Sequence, residues 1–121
     1  MANIGAYFEI PVLDMDRAIN FYQELFGIDF DRGTIHGYDM AFFSYEPEGI
    51  GISGALARGE VYKPSIEGIF LYLQVENIDA VLARAIELGS QVLLEKADAD
   101  SCFVAEINDS EGNRICLKQD H

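Results

Sequence analysis

Apolar and polar positions follow one pattern twice along this chain. The stretch from Tyr7 to Gly27 begins with an apolar run typical of a strand and continues with apolar residues three and four positions apart, as on one face of a helix. Residues 70–89 show the same order 63 positions later, with Val75 at the place of Val12. A strand–helix unit that occurs twice in a short chain predicts a duplicated module.

The first module is predicted to have the order βαβββ. Its first strand covers residues 7–12, and Pro11 predicts an edge strand or a bulge, because proline has no N–H to donate. Asp14 or Asp16 is expected to cap the helix, and Gly27 to end it in the left-handed conformation. The predicted apolar stripe of this helix consists of Ala18, Ile19, Tyr22, Leu25 and Phe26. Three further strands are predicted at residues 28–31, 38–45 and 52–57.

The second module repeats this order after a connector. Its first strand is predicted at residues 69–75, Asn77 or Asp79 is expected to cap its helix, and Gly89 to close that helix. The predicted apolar stripe consists of Ile78, Val81, Leu82, Ala85 and Ile86. The remaining strands are predicted at 91–96, 102–108 and 113–119, with a tight hairpin connection at 109–113.

These elements predict an α+β fold. Two βαβββ modules form paired, curved and mostly antiparallel sheets that carry the helices on their outer faces. We expect a single domain over residues 1–121, with module one at about 4–58, a linker at about 59–67 and module two at about 68–119.

Strand alternation divides the side chains between the two faces of each sheet. One face is apolar enough to pack beneath the helices; its predicted members are Phe8, Ile10, Val12, Gly54, Leu56, Leu71, Leu73, Val75, Ile115 and Leu117. The other, which we call the open face of each sheet, has the predicted members Tyr7, Glu9, Pro11, Ser53, Ala55, Ala57, Phe70, Tyr72, Gln74, Arg114, Cys116 and Lys118. Its mixture of aromatic, small and charged residues is typical of a surface that holds a small molecule.

The charge of the chain narrows the range of functions. The 121 residues have a net charge of −13, which repels phosphate groups, so neither nucleic acid nor an anionic membrane is an expected partner. No run is long and apolar enough to span a bilayer, and the N-terminal MANIGAYFEI lacks the features of a signal peptide, so a cytoplasmic location is expected. Cys102 and Cys116 are expected to be free thiols.

Four motifs carry a resemblance to a known family. They are IPVLDMDRAINFYQELFG in the first module, SGALARG at its end, YLQVENID in the second module and DSEGNRICL near the C-terminus. Together with the duplicated βαβββ order, they resemble the vicinal oxygen chelate superfamily, which includes glyoxalase I, the bleomycin- and fosfomycin-resistance proteins and the extradiol dioxygenases. The resemblance covers nearly the whole chain and implies the fold predicted above.

Metal-using members of that superfamily hold their ion with His or Glu side chains at four points of the open faces. The resemblance carries these points onto Tyr7, Ala55, Phe70 and Cys116. None of the four is a His or a carboxylate, and alanine and phenylalanine have no ligating atom. The resemblance therefore implies a fold without the family's usual metal site, and no cofactor is expected.

Glu9 is the candidate for acid–base catalysis. A partly desolvated carboxylate among the aromatic side chains of the open face suits a general base. Glu9 can equally be a strand carboxylate that reaches solvent or pairs with Arg114. Glu106 has a similar but weaker case, since the pattern does not fix which face its strand presents. Cys116 has no histidine nearby in the sequence to activate it and is expected to behave as a small apolar residue.

The favoured expectation is a glyoxalase- and bleomycin-resistance-like protein that binds a small molecule in the cavity of the curved sheets. The side chains expected to contact the ligand are Tyr7, Glu9, Ala55, Phe70, Tyr72, Arg114 and Cys116. One alternative is an enzyme, a glyoxalase-like lyase or a dioxygenase-like protein, that uses Glu9 and Glu106 as unusual metal ligands or Glu9 alone as an acid–base group. Another is a structural module whose cavity has collapsed around its aromatic residues. The resemblance implies a homodimer in each case, with a second chain completing or flanking the cavity.

Overall fold

The computed structural model describes residues 3–121 of the chain. Met1 and Ala2, at the start of the N-terminal segment considered above, lie outside the described residues. The elements in chain order are β1 (Phe8–Pro11), α1 (Met15–Phe26), β2 (Phe30–Ile35), β3 (Tyr38–Phe43), β4 (Gly54–Arg58), β5 (Tyr72–Gln74), α2 (Ile78–Glu87), β6 (Val92–Asp98), β7 (Cys102–Asn108) and β8 (Arg114–Asp120). The βαβββ order occurs twice, which confirms the predicted α+β fold.

Each module forms one four-stranded sheet. The strand order is β1-β4-β3-β2 in the first sheet and β5-β8-β7-β6 in the second. The pairs β1–β4 and β5–β8 are parallel, and the other pairs are antiparallel. β1 is therefore an edge strand, as Pro11 predicted.

The parallel pairing of β1 with β4 depends on a glycine at Gly54. This residue lies opposite Phe8, and a Cβ atom built on it would be only 2.1 Å from the Phe8 carbonyl oxygen. A side chain at this position would push apart the two strands that carry Glu9 and Ala55.

The helix ends follow local sequence chemistry. Asp14 caps α1 and Asn77 caps α2, and each side-chain oxygen accepts a hydrogen bond of 3.1 Å from the N–H three residues later. Gly27 ends α1 at a φ of 65°, and Gly89 follows α2 at a φ of 93°. Each cap contributes about 1 kcal/mol to stability. Of the two cap positions considered for each helix, the first is the correct one.

One hydrophobic core is shared by the two modules. It contains the helix-facing side chains of both sheets and the buried stripes of both helices; its fully buried members include Ile10, Val12, Ala18, Tyr22, Leu25, Leu56, Ile78, Ala85, Ile107, Ile115 and Leu117. A separate small cluster of Met40, Ala55 and Ala57 lies on the other face of the first sheet. The open faces of both sheets are therefore turned away from the shared core, as strand alternation requires.

Several predicted boundaries are wrong. β2 does not begin at residue 28 but covers Phe30–Ile35, because β3 pairs with it along its whole length, including Gly33. Of the strand predicted at 69–75, only Tyr72–Gln74 pairs in full register with β8. Ile86 was assigned to the apolar stripe of α2 but is 60% exposed, because it lies beyond the edge of the stripe that reaches the core. Within the described residues, no helix is long and apolar enough to cross a membrane.

Candidate functional site

Glu9 is the centre of a tyrosine–carboxylate cluster on the open face of the first sheet. The hydroxyl of Tyr7 donates a hydrogen bond of 2.9 Å to its Oε2 atom, and the hydroxyl of Tyr62 donates one of 2.7 Å to its Oε1 atom. The Tyr62 ring packs edge-on against Tyr38, with 5.4 Å between ring centres. Ala55, opposite Glu9 in the β1–β4 pairing, is fully buried beneath this cluster. These contacts hold the carboxylate in one place.

The phenols around Glu9 remain protonated at neutral pH. Partial burial, followed by the hydrogen bond to Glu9 and its negative charge, raises the pKa of Tyr7 to about 12. The hydrogen bond to Glu9, followed by burial, raises the pKa of Tyr62. Each carboxylate oxygen of Glu9 accepts one phenolic hydrogen and keeps a second lone pair, so Glu9 can still accept a proton from a substrate that comes within hydrogen-bond reach.

The open face of the second sheet carries an ion pair beside an aromatic ring. Nη1 of Arg114 donates to Oε1 of Glu106, and the guanidinium lies 4.9 Å from the centre of the Phe70 ring. Nε of Arg114 donates to the carbonyl of Ile66 in the linker at 3.1 Å. Glu106 lies opposite Cys116 in the β7–β8 pairing, which places it on the open face and resolves the question of its orientation.

Cys116 is a buried, protonated thiol. Burial, followed by the charge of Glu106, raises its pKa to about 11. Tyr72, which is opposite Cys116 in the β5–β8 pairing, also has a raised pKa, through burial and then through the neighbouring Cys116 and Glu106. A thiol with such a high pKa is a poor nucleophile and a poor metal ligand at neutral pH. Both cysteines are free, in agreement with the sequence.

The residues that the sequence assigned to one site fall into two groups. Tyr7, Glu9 and Ala55 lie on the first sheet, whereas Phe70, Tyr72, Arg114 and Cys116 lie on or directly before the strands of the second sheet. In the described part of the chain, no hydrogen bond, ion pair or ring contact joins one group to the other. The considered pairing of Glu9 with Arg114 is wrong, because Glu106 is the nearer carboxylate and takes the guanidinium.

Tyr62 was missed by the sequence reasoning. It lies in the linker, where no strand or helix period assigns a side chain to a face, and it reaches Glu9 across 53 positions of sequence. The only available signal was that Tyr62 is the single aromatic residue of the linker.

Among residues 3–121, no group of three or more His, Cys, Asp or Glu side chains is arranged to hold a metal ion.

Known proteins provide a comparison for the duplicated βαβββ order and for the parallel β1–β4 and β5–β8 pairs. Residues 5–117 match the family model described as the Glyoxalase/Bleomycin resistance protein/Dioxygenase superfamily. The chain belongs to this superfamily. None of the curated protein sequences compared with the chain matches it significantly.

Solved structures of the superfamily share this architecture. A glyoxalase/bleomycin resistance protein from Streptomyces sp. CB03234 is 29% identical, with a TM-score of 0.71 over 94% of this chain and 98% of that one. TnmS3, an antibiotic binding protein from the same organism, is 28% identical, with a TM-score of 0.73 over 100% of this chain and 99% of that one. A glyoxalase I mutant from Zea mays has the same fold, with 21% identity and a TM-score of 0.73 over 93% of this chain and 44% of that one.

Proposed function

We propose that this superfamily member binds a small organic molecule against the open faces of its sheets and performs no metal-dependent reaction there. The observation that carries the proposal is the exposure of three rings. Tyr7, Phe70 and Tyr72 are 46%, 49% and 46% exposed on the faces that are turned away from the core. Rings of this size gain stability from contact with another apolar or aromatic surface, so their exposure favours a bound partner molecule.

The side chains at the family's four metal positions support binding rather than metal chemistry. Ala55 and Phe70 have no ligating atom, and the Cys116 thiol is protonated and buried. Tyr7 donates its hydroxyl hydrogen to Glu9 and has a pKa of about 12, so its phenolate is not available at neutral pH. These residues do not fit a divalent cation, and no reaction step is assigned to one.

Charge neutralisation on the second open face limits the class of ligand. The Arg114 guanidinium is paired with Glu106 and stacked on Phe70, so it offers little net positive charge to an anionic ligand. On the first sheet, two neutral phenols donate hydrogen bonds to the Glu9 carboxylate, and no cationic side chain pairs with it among the described residues. A neutral or cationic ligand with an aromatic surface fits these two faces better than an anion does.

A homodimer is part of the proposal. The two groups of site residues lie on separate sheets of one chain, and the aromatic rings of both are open to solvent. A second copy that brings the first sheet of one chain opposite the second sheet of its partner would place Tyr7 and Glu9 near Phe70 and Tyr72.

The description of TnmS3 as an antibiotic binding protein, at 28% identity over the whole chain, supports a ligand of antibiotic-like chemistry. The net charge of −13 supports a partner other than nucleic acid.

An enzyme that uses Glu9 as an acid–base group is the second candidate. Its supporting observation is the fixed position of the carboxylate between two phenols. It requires in addition that an acidic proton of the substrate comes within hydrogen-bond reach of Glu9, a condition that binding alone does not have, and it is therefore less favoured.

The test is calorimetric titration with metal-free bleomycin and a set of planar aromatic antibiotics. We expect at least one compound to bind the wild type and Tyr72→Ala to weaken that binding about tenfold, which corresponds to the loss of one ring contact. Ile86→Ala removes an apolar side chain that is 60% exposed on the outer side of α2, away from both open faces, and serves as the control. Binding that is equally strong in Tyr72→Ala, or no binding of any compound, would overturn the proposal.

A further inference from the structure

A cavity of about 650 Å³ lies between the two modules on the helix side of the sheets. Phe8, Phe26 and Phe43 of the first module and Val81 and Arg84 of the second contribute to its lining. The three phenylalanines pack at the edge of the shared core, and none of the seven side chains assigned to the proposed site lines the cavity. Its volume and mainly apolar lining are those of a small-molecule pocket.

The corresponding junction at the other end of the molecule is filled by protein. There the β7–β8 connection, residues 109–113, docks against the start of α1. Glu111 accepts a hydrogen bond of 2.7 Å from Nε of Arg17, and Asp109 accepts one of 2.6 Å from the hydroxyl of Tyr22. Two long side chains of α1 thus hold the hairpin in place.

The second module lacks these anchors. The 63-residue repeat places Ala80 and Ala85 of α2 at the positions of Arg17 and Tyr22 in α1. The connection that borders this corner, residues 44–53, forms no hydrogen bond to α2 or to the turn before it in the described part of the chain. The cavity stays open because α2 has alanines where α1 has arginine and tyrosine, and because the connection 44–53 does not dock against α2.

Arg84 defines the polar chemistry of the cavity. Its Nε donates to the Leu25 carbonyl at 2.9 Å, which fixes the guanidinium, and its terminal nitrogens form no hydrogen bond to any described residue. Glu46 and Glu76 also line the cavity, so a ligand with one acceptor group beside Arg84 is favoured over a polyanion. The exposed apolar side chain of Ile50 borders the cavity and would be covered by such a ligand.

We propose that this cavity is a second small-molecule site, which takes a mainly apolar, ring-containing ligand whose single hydrogen-bond acceptor group is held by Arg84. It does not depend on the site on the open faces. The alanine at position 80 gives the most direct way to close it, because this residue lines the cavity and a leucine side chain there would occupy the space.

The test uses 1-anilinonaphthalene-8-sulfonate, a two-ring compound with one sulfonate acceptor, in a fluorescence titration followed by amide chemical shifts. We expect saturable binding to the wild type, with shifts at residues 44–53 and 73–84. Ala80→Leu should weaken binding at least about tenfold, and Arg84→Gln should also weaken it. Ala83→Leu makes the same change on the exposed side of α2 and should bind within about twofold of the wild type.

The Tyr72→Ala variant separates this site from the proposed function. It should bind the probe like the wild type, whatever the outcome of the antibiotic titration. The proposal is overturned by equal binding to Ala80→Leu and wild type, by shifts at Tyr72 and β8 on the open face in place of shifts around the cavity, or by no saturable binding. A change of oligomeric state in Ala80→Leu but not in Ala83→Leu would also overturn it, since it would assign the cavity to a second copy of the chain.

Discussion

Replacement of Glu111 by glutamine should strongly destabilise the protein, because this carboxylate joins the two modules. Its side chain is completely buried. Oε1 accepts hydrogen bonds of 2.8 Å from the backbone N–H groups of Leu13 and Asp14, and Oε2 accepts one of 2.7 Å from Arg17. The carboxylate therefore caps the start of α1 from a distant part of the chain, as an anion at a helix N-terminus does.

The magnitude follows from the pKa of Glu111. Burial alone would raise it, but the hydrogen bonds from Arg17, Asp14, Ser110 and Leu13 outweigh burial and lower the pKa from 4.5 to about 2. This difference between the unfolded and folded values corresponds to about 3 kcal/mol of stability near neutral pH. Because the folded-state pKa is the lower one, the contribution is complete above the unfolded value and is lost as the pH falls toward about 2.

The assay is urea denaturation followed by circular dichroism, at one fixed protein concentration. At about pH 7, Glu111→Gln should lower the free energy of unfolding by about 3 kcal/mol, and the difference from the wild type should be much smaller at about pH 2. Glu48→Gln neutralises an exposed carboxylate in the connection 44–53 and should change stability by less than about 0.5 kcal/mol. If both variants unfold alike at neutral pH, the reasoning about the buried carboxylate is refuted.

Three further predictions concern other buried or paired groups. Cys116, with a pKa of about 11, should react far more slowly with iodoacetamide in the native protein than in urea; equal rates would contradict its burial. Tyr22→Phe removes the 2.6 Å hydrogen bond to buried Asp109 and should cost about 1–3 kcal/mol in thermal unfolding, with an unchanged melting temperature as the contrary result. Glu9→Gln should lower the pKa of Tyr7 from about 12, seen as earlier tyrosinate absorbance in a pH titration; an unchanged titration curve would rule out the assigned cause.

The helices and the two faces of each sheet could be predicted because their signals are local. A cap depends on a hydrogen bond between residues three positions apart, as at Asp14 and Asn77. Strand alternation places the side chains of Glu9 and Ile10 on opposite faces of the sheet. The strand predicted at residues 28–31 stops before Gly33, yet this glycine lies inside β2, because pairing with β3 outweighs the weak strand preference of glycine.

The candidate site could be predicted only in part, because its remaining contacts join distant parts of the chain. Tyr62 reaches Glu9 from the linker, and Arg114 pairs with Glu106 on the neighbouring strand instead of with Glu9. The connection at 109–113 was correctly predicted as a hairpin, but its role in capping α1 has no signature in the local sequence. Periodicity assigns a side chain to a face and does not identify what lies opposite it.

Native mass spectrometry of the purified protein tests most directly whether this fold binds a small molecule without a metal. The protein would be measured after incubation with the compound that binds in calorimetry, and separately with Ni²⁺, Zn²⁺, Mn²⁺ and Fe²⁺. Our account predicts a dimer that retains the organic compound and takes up none of the ions specifically. One tightly held metal ion per chain, or a monomer that binds no compound, would contradict it.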